Sequence, residues 1–377
     1  MEALVLSHLT ALRALRRARR VNAAHLPSHL GRSEQRHVLL DALPSRASLD
    51  LDELARIGAL DDGPCSPIDC LIGASIHRRR LPGIRCHVLS RPLPSGALVD
   101  LGHGLYTTGP AFTALLCSAG RNAGEVLPLL MELLGTYSLP EAATHPIAHG
   151  GIWPDPGESG LVDAGRSRDI GPEQDGDSPV DLSVDQAHYR CEPAVTLREL
   201  GNVATWGKSS EYRGFSQAVR LAAPGAASPC ESIMYGMFGA PMGYGGFGVC
   251  CLPGGILLNE TIRYDERARN ASGGIPYAIA DAFIPGARLV LEYNGAYHEQ
   301  GSSQLHDNRR NNGLKAMGID VIVLDRAQMR NLSALEAVAA TIYKRAGMRF
   351  RYRINGYRSR QLDFLNSMRR ASGLRAI

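Results

Sequence analysis

Tyr277-Ala278-Ile279-Ala280-Asp281-Ala282-Phe283-Ile284-Pro285 and, after a turn at Gly286, Leu289-Val290-Leu291-Glu292-Tyr293-Asn294-Gly295 are the two runs that decide the fold. Each is short and apolar and is closed by Pro or Gly, the mark of a buried strand. The few residues between them make the strands consecutive members of an antiparallel meander. Asp281 and Glu292 then lie on paired strands. A charge at the end of an otherwise apolar strand is costly to leave unpaired. Two carboxylates that converge can hold a hard divalent cation such as Mg²⁺. Such an ion polarises a phosphodiester and lowers the pKa of an attacking water.

Upstream, Ser228-Pro229-Cys230-Glu231 reads as a helix start, with Ser as cap, Pro at the first position and Glu able to complete a capping box. Ile233, Met234 and Met237 give that helix an apolar stripe, and the glycine-rich Gly239 to Gly248 ends it. Gly254-Gly255 then turns the chain into a strand over Ile256 to Ile262, followed by a polar, hairpin-like Arg263 to Gly274. Downstream, Gly295 to His298 is a turn. Asp307 to Met317 reads as a helix with Asp307, Arg310 and Leu314 at spacings of three and four. Gly318 stops it before the buried-type strand Ile319 to Leu324. The order is helix, three-strand meander, helix, strand, so the chain reads as α/β with a restriction-endonuclease-like C-terminal domain.

Residues 228 to 326 resemble the PD-(D/E)XK nuclease domain, in the bacterial branch related to the very-short-patch repair endonucleases. The pieces that carry the likeness are Ser228-Pro229-Cys230-Glu231, Asp281-Ala282-Phe283, Glu292-Tyr293-Asn294-Gly295-Ala296-Tyr297-His298, Asp307-Asn308-Arg309-Arg310 and Gly318-Ile319-Asp320-Val321. The resemblance implies that Asp281 and Glu292 hold Mg²⁺ or Mn²⁺, helped by the Tyr293 carbonyl. It implies that Asn294 positions water and that His298 is a general base or steadies the scissile phosphate. Glu231 reaches the metal through a water or serves the capping box. Arg310 faces a phosphate or pairs with Asp307 along its helix. The activity implied is metal-dependent endonucleolytic cleavage of DNA, in phage defence or mobile-element biology. Asn294 stands where this branch usually has Asp and the wider superfamily Lys, which motivates an alternative: a DNA-binding regulator that keeps the fold without catalysis.

The N-terminal 145 residues read as a separate mixed α/β domain. The opening segment reads as a basic helix, with Leu9, Leu12, Leu15 and Val21 roughly at helical spacing among Arg13, Arg16, Arg17, Arg19 and Arg20. Ile68 to Ile72, Arg85 to Leu89 and Leu98 to Tyr106 are short strands, and Val126 to Leu134 a strong helix. Ile76 to Arg80, Leu105 to Pro110 and Leu130 to Tyr137 weakly resemble the abortive-infection type IV antitoxins. That likeness supports the regulator alternative and, with it, a cognate toxin or defence-system partner; a homodimer is also open.

Residues 146–190 read as an acidic Gly/Pro-rich linker or long excursion; Gly151 to Asp185 holds nine acids and two arginines. Such a stretch buries too little surface to offset its ordering entropy. Helical patterning resumes at Thr196 to Leu200 and Glu211 to Leu221 and leads into the nuclease-like unit, 191–330. Residues 331–377 read as a basic tail. From Thr341 to Ile377 there are ten basic residues, among them Arg349, Arg351, Arg353, Arg358 and Arg360, against the single acid Asp363. Tyr343, Phe350, Tyr352 and Tyr357 lie between them, and cations interleaved with aromatics suit a nucleic acid.

The bulk properties bound these readings. A chain of 377 residues exceeds one ordinary core. A hydrophobic fraction of 44% with 21% charged residues is that of a soluble globular protein. No apolar run approaches the roughly 18–20 residues that span a bilayer, and no signal-peptide pattern opens the chain, so a cytoplasmic protein without membrane contact is expected. The eight cysteines are scattered and form no CxxC pair, which favours reduced thiols over a zinc site. Gly243 to Gly248 fits GxGxxG but does not join a strand to a helix, so it lacks the dinucleotide-binding context.

Overall fold

Three residues, Leu4–Leu6, form β1, and they sit at the centre of the N-terminal sheet. The computed structural model describes residues 3–21, 29–45, 49–60, 67–78, 81–141, 186–294, 301–352 and 354–377, with the side chains of 301–305 left out. β1 was not expected; the basic helix expected in the opening segment is α1, which spans His8–Arg20. All three strand residues are buried, and so short a run has no periodicity that sequence reading can separate from the helix that follows. After the short helices α2 (Arg32–Asp41) and α3 (Leu51–Arg56) come β2 (Ile68–Ile72), β3 (Ile84–Val88), β4 (Leu98–Gly102) and β5 (Leu105–Thr108). The sheet order is β3-β2-β1-β5-β4, with β1 parallel to β5 and antiparallel to β2. The single strand expected over Leu98 to Tyr106 is therefore a hairpin. Gly102, His103 and Gly104 all have positive φ, and two glycines in three residues make that reversal cheap.

The arginines of α1 were expected on a basic helix, yet Arg13, Arg16 and Arg19 are buried. Arg16 and Arg19 face α5 (Ala123–Leu134), reached through α4 (Pro110–Cys117). Arg16 Nε and Nη2 donate to the two carboxylate oxygens of Glu132 at 2.9 and 2.7 Å. Arg19 donates to the carbonyls of Glu132 and Gly135, each at 2.9 Å, and thereby satisfies acceptors at the end of α5. Glu132 is fully buried and also accepts the Leu139 amide at 3.0 Å. A buried ion pair survives in an apolar core only when its remaining polar atoms are satisfied in this way.

β6 (Tyr137–Ser138) pairs with β7 (His188–Tyr189), Tyr137 opposite Tyr189. The acidic segment expected as a linker lies almost wholly outside the described residues, but its two flanks are hydrogen-bonded neighbours. Beyond it follow α6 (Leu197–Trp206), α7 (Arg213–Leu221) and α8 (Pro229–Gly239). One apolar cluster runs from Val5 and Leu12 through Leu130, Phe215 and Phe238 to Leu289, Leu291 and Phe364, so the two halves of the chain share a core.

The second sheet is built from β8 (Leu257–Arg263), β9 (Tyr277–Ile284), β10 (Leu289–Asn294) and β11 (Asp320–Asp325) in the order β11-β10-β9-β8. β8, β9 and β10 form the expected antiparallel meander. The segment expected as hairpin-like between β8 and β9 contains a short helix, α9 (Glu266–Ala271), capped by Asp265. α10 (Gly301–Ala316) carries the chain across to β11, which is parallel to β10. Alternation along β10 fixes the layers: Leu289 and Leu291 join the large core, while Val290 packs with Ile262, Tyr264 and Leu314 on the opposite face.

The segment expected as a basic tail is instead α11 (Leu332–Arg345) and α12 (Tyr357–Ala371). Gln361, Phe364, Leu365 and Met368 of α12 are buried at helical spacing. Their apolar stripe is narrow, and the arginines around it dominate the composition. No helix among the described residues is long and apolar enough to cross a membrane.

Candidate active site

Register brings the carboxylates together. The β9–β10 ladder pairs Leu289 with Ile284, Val290 with Phe283 and Leu291 with Ala282. One step further sets Glu292 opposite Asp281. There the ladder gives way to side-chain bonding: the Tyr293 amide donates to Asp281 Oδ2 at 2.8 Å. Like charges opposite one another on paired strands repel. Burial raises the pKa of Asp281, while the Tyr293 amide and the Arg310 charge oppose the rise. Burial first, and then the Asp281 charge, push Glu292 up to about 7.

Arg310 is the cation of this site. Its Nη2 donates to Glu292 and, at 3.0 Å, to the Ile279 carbonyl. It was expected to face a phosphate or to pair with Asp307; its direct bond to Glu292 was not foreseen. Tyr264, buried against α10, donates its hydroxyl to the Arg310 carbonyl and anchors that turn of the helix.

Glu231 approaches from α8. Ser228 caps the helix, its hydroxyl accepting the Glu231 amide at 3.1 Å, as the Ser-Pro-x-Glu pattern predicts. The Glu231 carboxylate reaches back to the Ala227 amide at 2.9 Å. It also accepts Asn259 Nδ2 at 2.7 Å. Burial first, and the Asp281 charge second, raise Glu231 to about 7.

Asn259 is a residue that sequence reading missed. It lies on β8 with φ 47, in the left-handed region where Asn is among the residues least penalised. The ladder pairs Leu258 with Ala282 and Glu260 with Ala280, so Asn259 stands between them, level with Asp281. Its amide also donates to the Gly225 carbonyl at 2.7 Å. The available signal was a lone amide inside the apolar run Ile256 to Ile262.

The other expected site residues divide. The Tyr293 hydroxyl hydrogen-bonds with the Cys230 thiol, while its amide serves Asp281. Asn294 is exposed at the end of β10, opposite Asp325 of β11. His298 and Arg353 lie outside the described residues. Arg349 and Arg351 are exposed, Arg358 is bonded to Ser333 and Glu336, and Arg360 donates to the Gly243 carbonyl at 3.3 Å. The aromatics that lie among these arginines stack on one another. Tyr352 and Tyr357 are parallel with centroids 3.3 Å apart, Phe350 meets Tyr352 edge-on, and Tyr343 packs on Phe350.

Among the described residues no group of three or more His, Cys, Asp or Glu side chains is gathered to hold a metal ion. Asp281 and Glu292 offer oxygen donors only, a set that suits Mg²⁺ or Mn²⁺, and Mg²⁺ commonly takes one or two carboxylates plus waters and substrate phosphate. Their shared difficulty in ionising is what a divalent cation relieves. Set against known proteins, the chain matches no family model, no curated protein and no solved structure.

Proposed function

We propose that the sheet end carrying Asp281 and Glu292 is the centre of a metal-dependent endonuclease of the restriction-endonuclease-like class, acting on DNA. The observation that carries this reading is the placement of two carboxylates opposite one another where the β9–β10 ladder ends, each harder to ionise than a solvated acid. Asp281 and Glu292 would hold Mg²⁺ or Mn²⁺, and the ion would supply charge stabilisation at the phosphodiester and a more acidic water. Arg310 compensates Glu292, and its guanidinium is suited to share that role with a phosphate oxygen. Glu231, with a pKa of about 7, can gain or lose a proton near neutral pH, as a general acid or base requires. Asn259 fixes the Glu231 carboxylate, so it positions that group.

The Glu292–Arg310 pair favours a second reading. A carboxylate already neutralised by an arginine, together with the uncharged Asn294, suits a DNA-binding regulator without catalysis, and such a protein would meet a toxin or defence-system partner. Incubation of the purified protein with supercoiled plasmid and Mg²⁺ or Mn²⁺ separates the two. Nicking or linearisation that Asp281→Ala and Glu292→Ala each reduce by at least about a hundredfold, the scale of one lost catalytic electrostatic contact, supports the enzyme. Equal cutting by those variants refutes it, and a metal-independent mobility shift with no cleavage favours the regulator.

A further inference from the structure

Free cysteine is among the most buried residue types. Cys70, Cys117 and Cys191 follow that rule and Cys86 and Cys230 are half-buried, yet Cys250 and Cys251 are both exposed. They are adjacent in sequence, and their Sγ atoms are 3.8 Å apart. The backbone that carries them is a single 3₁₀ turn, Val249–Cys251, entered from Gly248 at φ 75. The Cys251 amide donates to the Gly248 carbonyl at 3.0 Å, and the Leu252 amide to the Val249 carbonyl at 2.9 Å. Val249 and Leu252, on either side of the pair, are buried. The Tyr343 hydroxyl of α11 donates to the Gly248 carbonyl at 3.1 Å. Two solvent-facing thiols therefore stand side by side on a turn that the core holds in place.

A disulfide does not suit this pair. Bridged cysteines usually have Cα atoms about 4.4–6.8 Å apart. Consecutive residues across a trans peptide are held at about 3.8 Å, and no peptide bond among the described residues is cis. Closing the bond would strain the turn, whereas a cation between the sulfurs would not. Two thiolates each about 2.3 Å from one tetrahedral Zn²⁺ stand about 3.8 Å apart, which is the separation found. Burial first, and then the neighbouring Cys251 sulfur, push the Cys250 thiol up to about 11. A cation bound by both sulfurs removes the second of these causes, because it takes the place of their protons.

We infer that Cys250 and Cys251 form a two-thiolate chelate for a thiophilic cation of the Zn²⁺ class. Thiolates select such ions over Mg²⁺, which takes oxygen ligands. The turn supplies two of the four tetrahedral positions. No third His, Cys, Asp or Glu is gathered with the pair among the described residues, so the other two positions are filled from solution. The chelate shares no ligand with Asp281 and Glu292, and it stands whether or not those carboxylates serve cleavage.

The test is titration of the full-length protein, reduced and kept under nitrogen, with Cd²⁺ in the presence of excess Mg²⁺. Cd²⁺ stands in for Zn²⁺, and its bonds to sulfur absorb in the ultraviolet, so the signal reports thiolate ligands and is silent to carboxylates. The absorption should saturate at one Cd²⁺ per chain, and added Zn²⁺ should remove it by competition. Cys250→Ser and Cys251→Ser should each weaken binding by about tenfold or more, since the loss of either sulfur ends the chelate. Cys86→Ser should bind as the wild type does. Circular dichroism of the two serine variants should match the wild type, because both side chains are exposed. Absence of the absorption up to roughly 0.1 mM Cd²⁺ overturns the inference. So does equal affinity in the wild type and both serine variants, or a loss confined to one of the two.

Discussion

Replacing Asp281 by Asn is expected to stabilise the metal-free protein at pH 8, although most substitutions destabilise. The Asp281 charge is the second cause, after burial, of the raised pKa of both Glu231 and Glu292. A carboxyl moved from 4.5 to about 7 disfavours the folded state by roughly 3 kcal/mol once fully ionised. With burial the larger cause, the share due to Asp281 is about 1 kcal/mol for each glutamate. Asp281 carries its own burial cost, offset in part by Arg310, so the net gain is about 1–2 kcal/mol. The asparagine side chain keeps an oxygen for the Tyr293 amide, which isolates the charge. Because the folded-state values are raised, both glutamates hold protons in the native protein where the unfolded chain has lost them. Stability therefore falls as pH rises from about 4.5 to about 7, and the penalty is full above that window. The gain from Asp281→Asn should be present at pH 8 and largely gone at pH 4.5. Urea denaturation in EDTA, followed by circular dichroism at both pH values, measures it as a midpoint shift at constant slope. An unchanged midpoint at pH 8, or the same loss at both pH values, would refute the coupling of these three carboxylates.

Glu132→Ala should cost about 3–5 kcal/mol, because Arg16 is left buried without its partner; replacing Arg16 and Glu132 together by Met and Leu should recover most of it, and equal losses in the single and double variants would contradict the pair's role. Gly313→Ala should destabilise by about 1–3 kcal/mol, since a methyl there runs into the ring of Tyr264. The same variant should disturb the Arg310–Glu292 pair through the Tyr264 hydroxyl, read as a changed Glu292 titration in carboxyl NMR.

The second sheet was legible because its signals are local. β9, β10 and β11 are largely apolar runs bounded by Gly, Pro or a polar turn, and the helix between β10 and β11 ends just before Gly318, which has φ 70. The first sheet was less so. β1 is three residues long and is recognised as a strand only through its partners β2 and β5, which are distant in sequence. The burial of Arg16 and Arg19 had no local signal either, since an arginine-rich helix reads as a solvated face unless the acceptor, here the C-terminal turn of α5, is known. The C-terminal helices show the converse. Composition pointed to a basic tail suited to nucleic acid, while four residues at helical spacing were enough to bury α12 in the core.

At the candidate site, Asp281, Glu292, Glu231 and Arg310 were each singled out in the sequence, but Asn259 and the contacts that join these groups were not legible, and the reason is geometric. Asp281 and Glu292 belong to one meander, so strand periodicity and a short turn suffice to bring them level. Glu231 meets them because a capped helix precedes the sheet and packs on it, a relation that sequence order implies but does not measure. Arg310 and Asn259 enter through tertiary contacts: one crosses from α10 to β10, the other leaves the β8 ladder with positive φ and turns its amide toward α8. Their effects on the carboxylates are opposite in kind. Arg310 supplies the compensating charge for Glu292, whereas Asn259 supplies only a hydrogen bond to Glu231. Glu231 thus faces the Asp281 charge with dipoles alone to offset it.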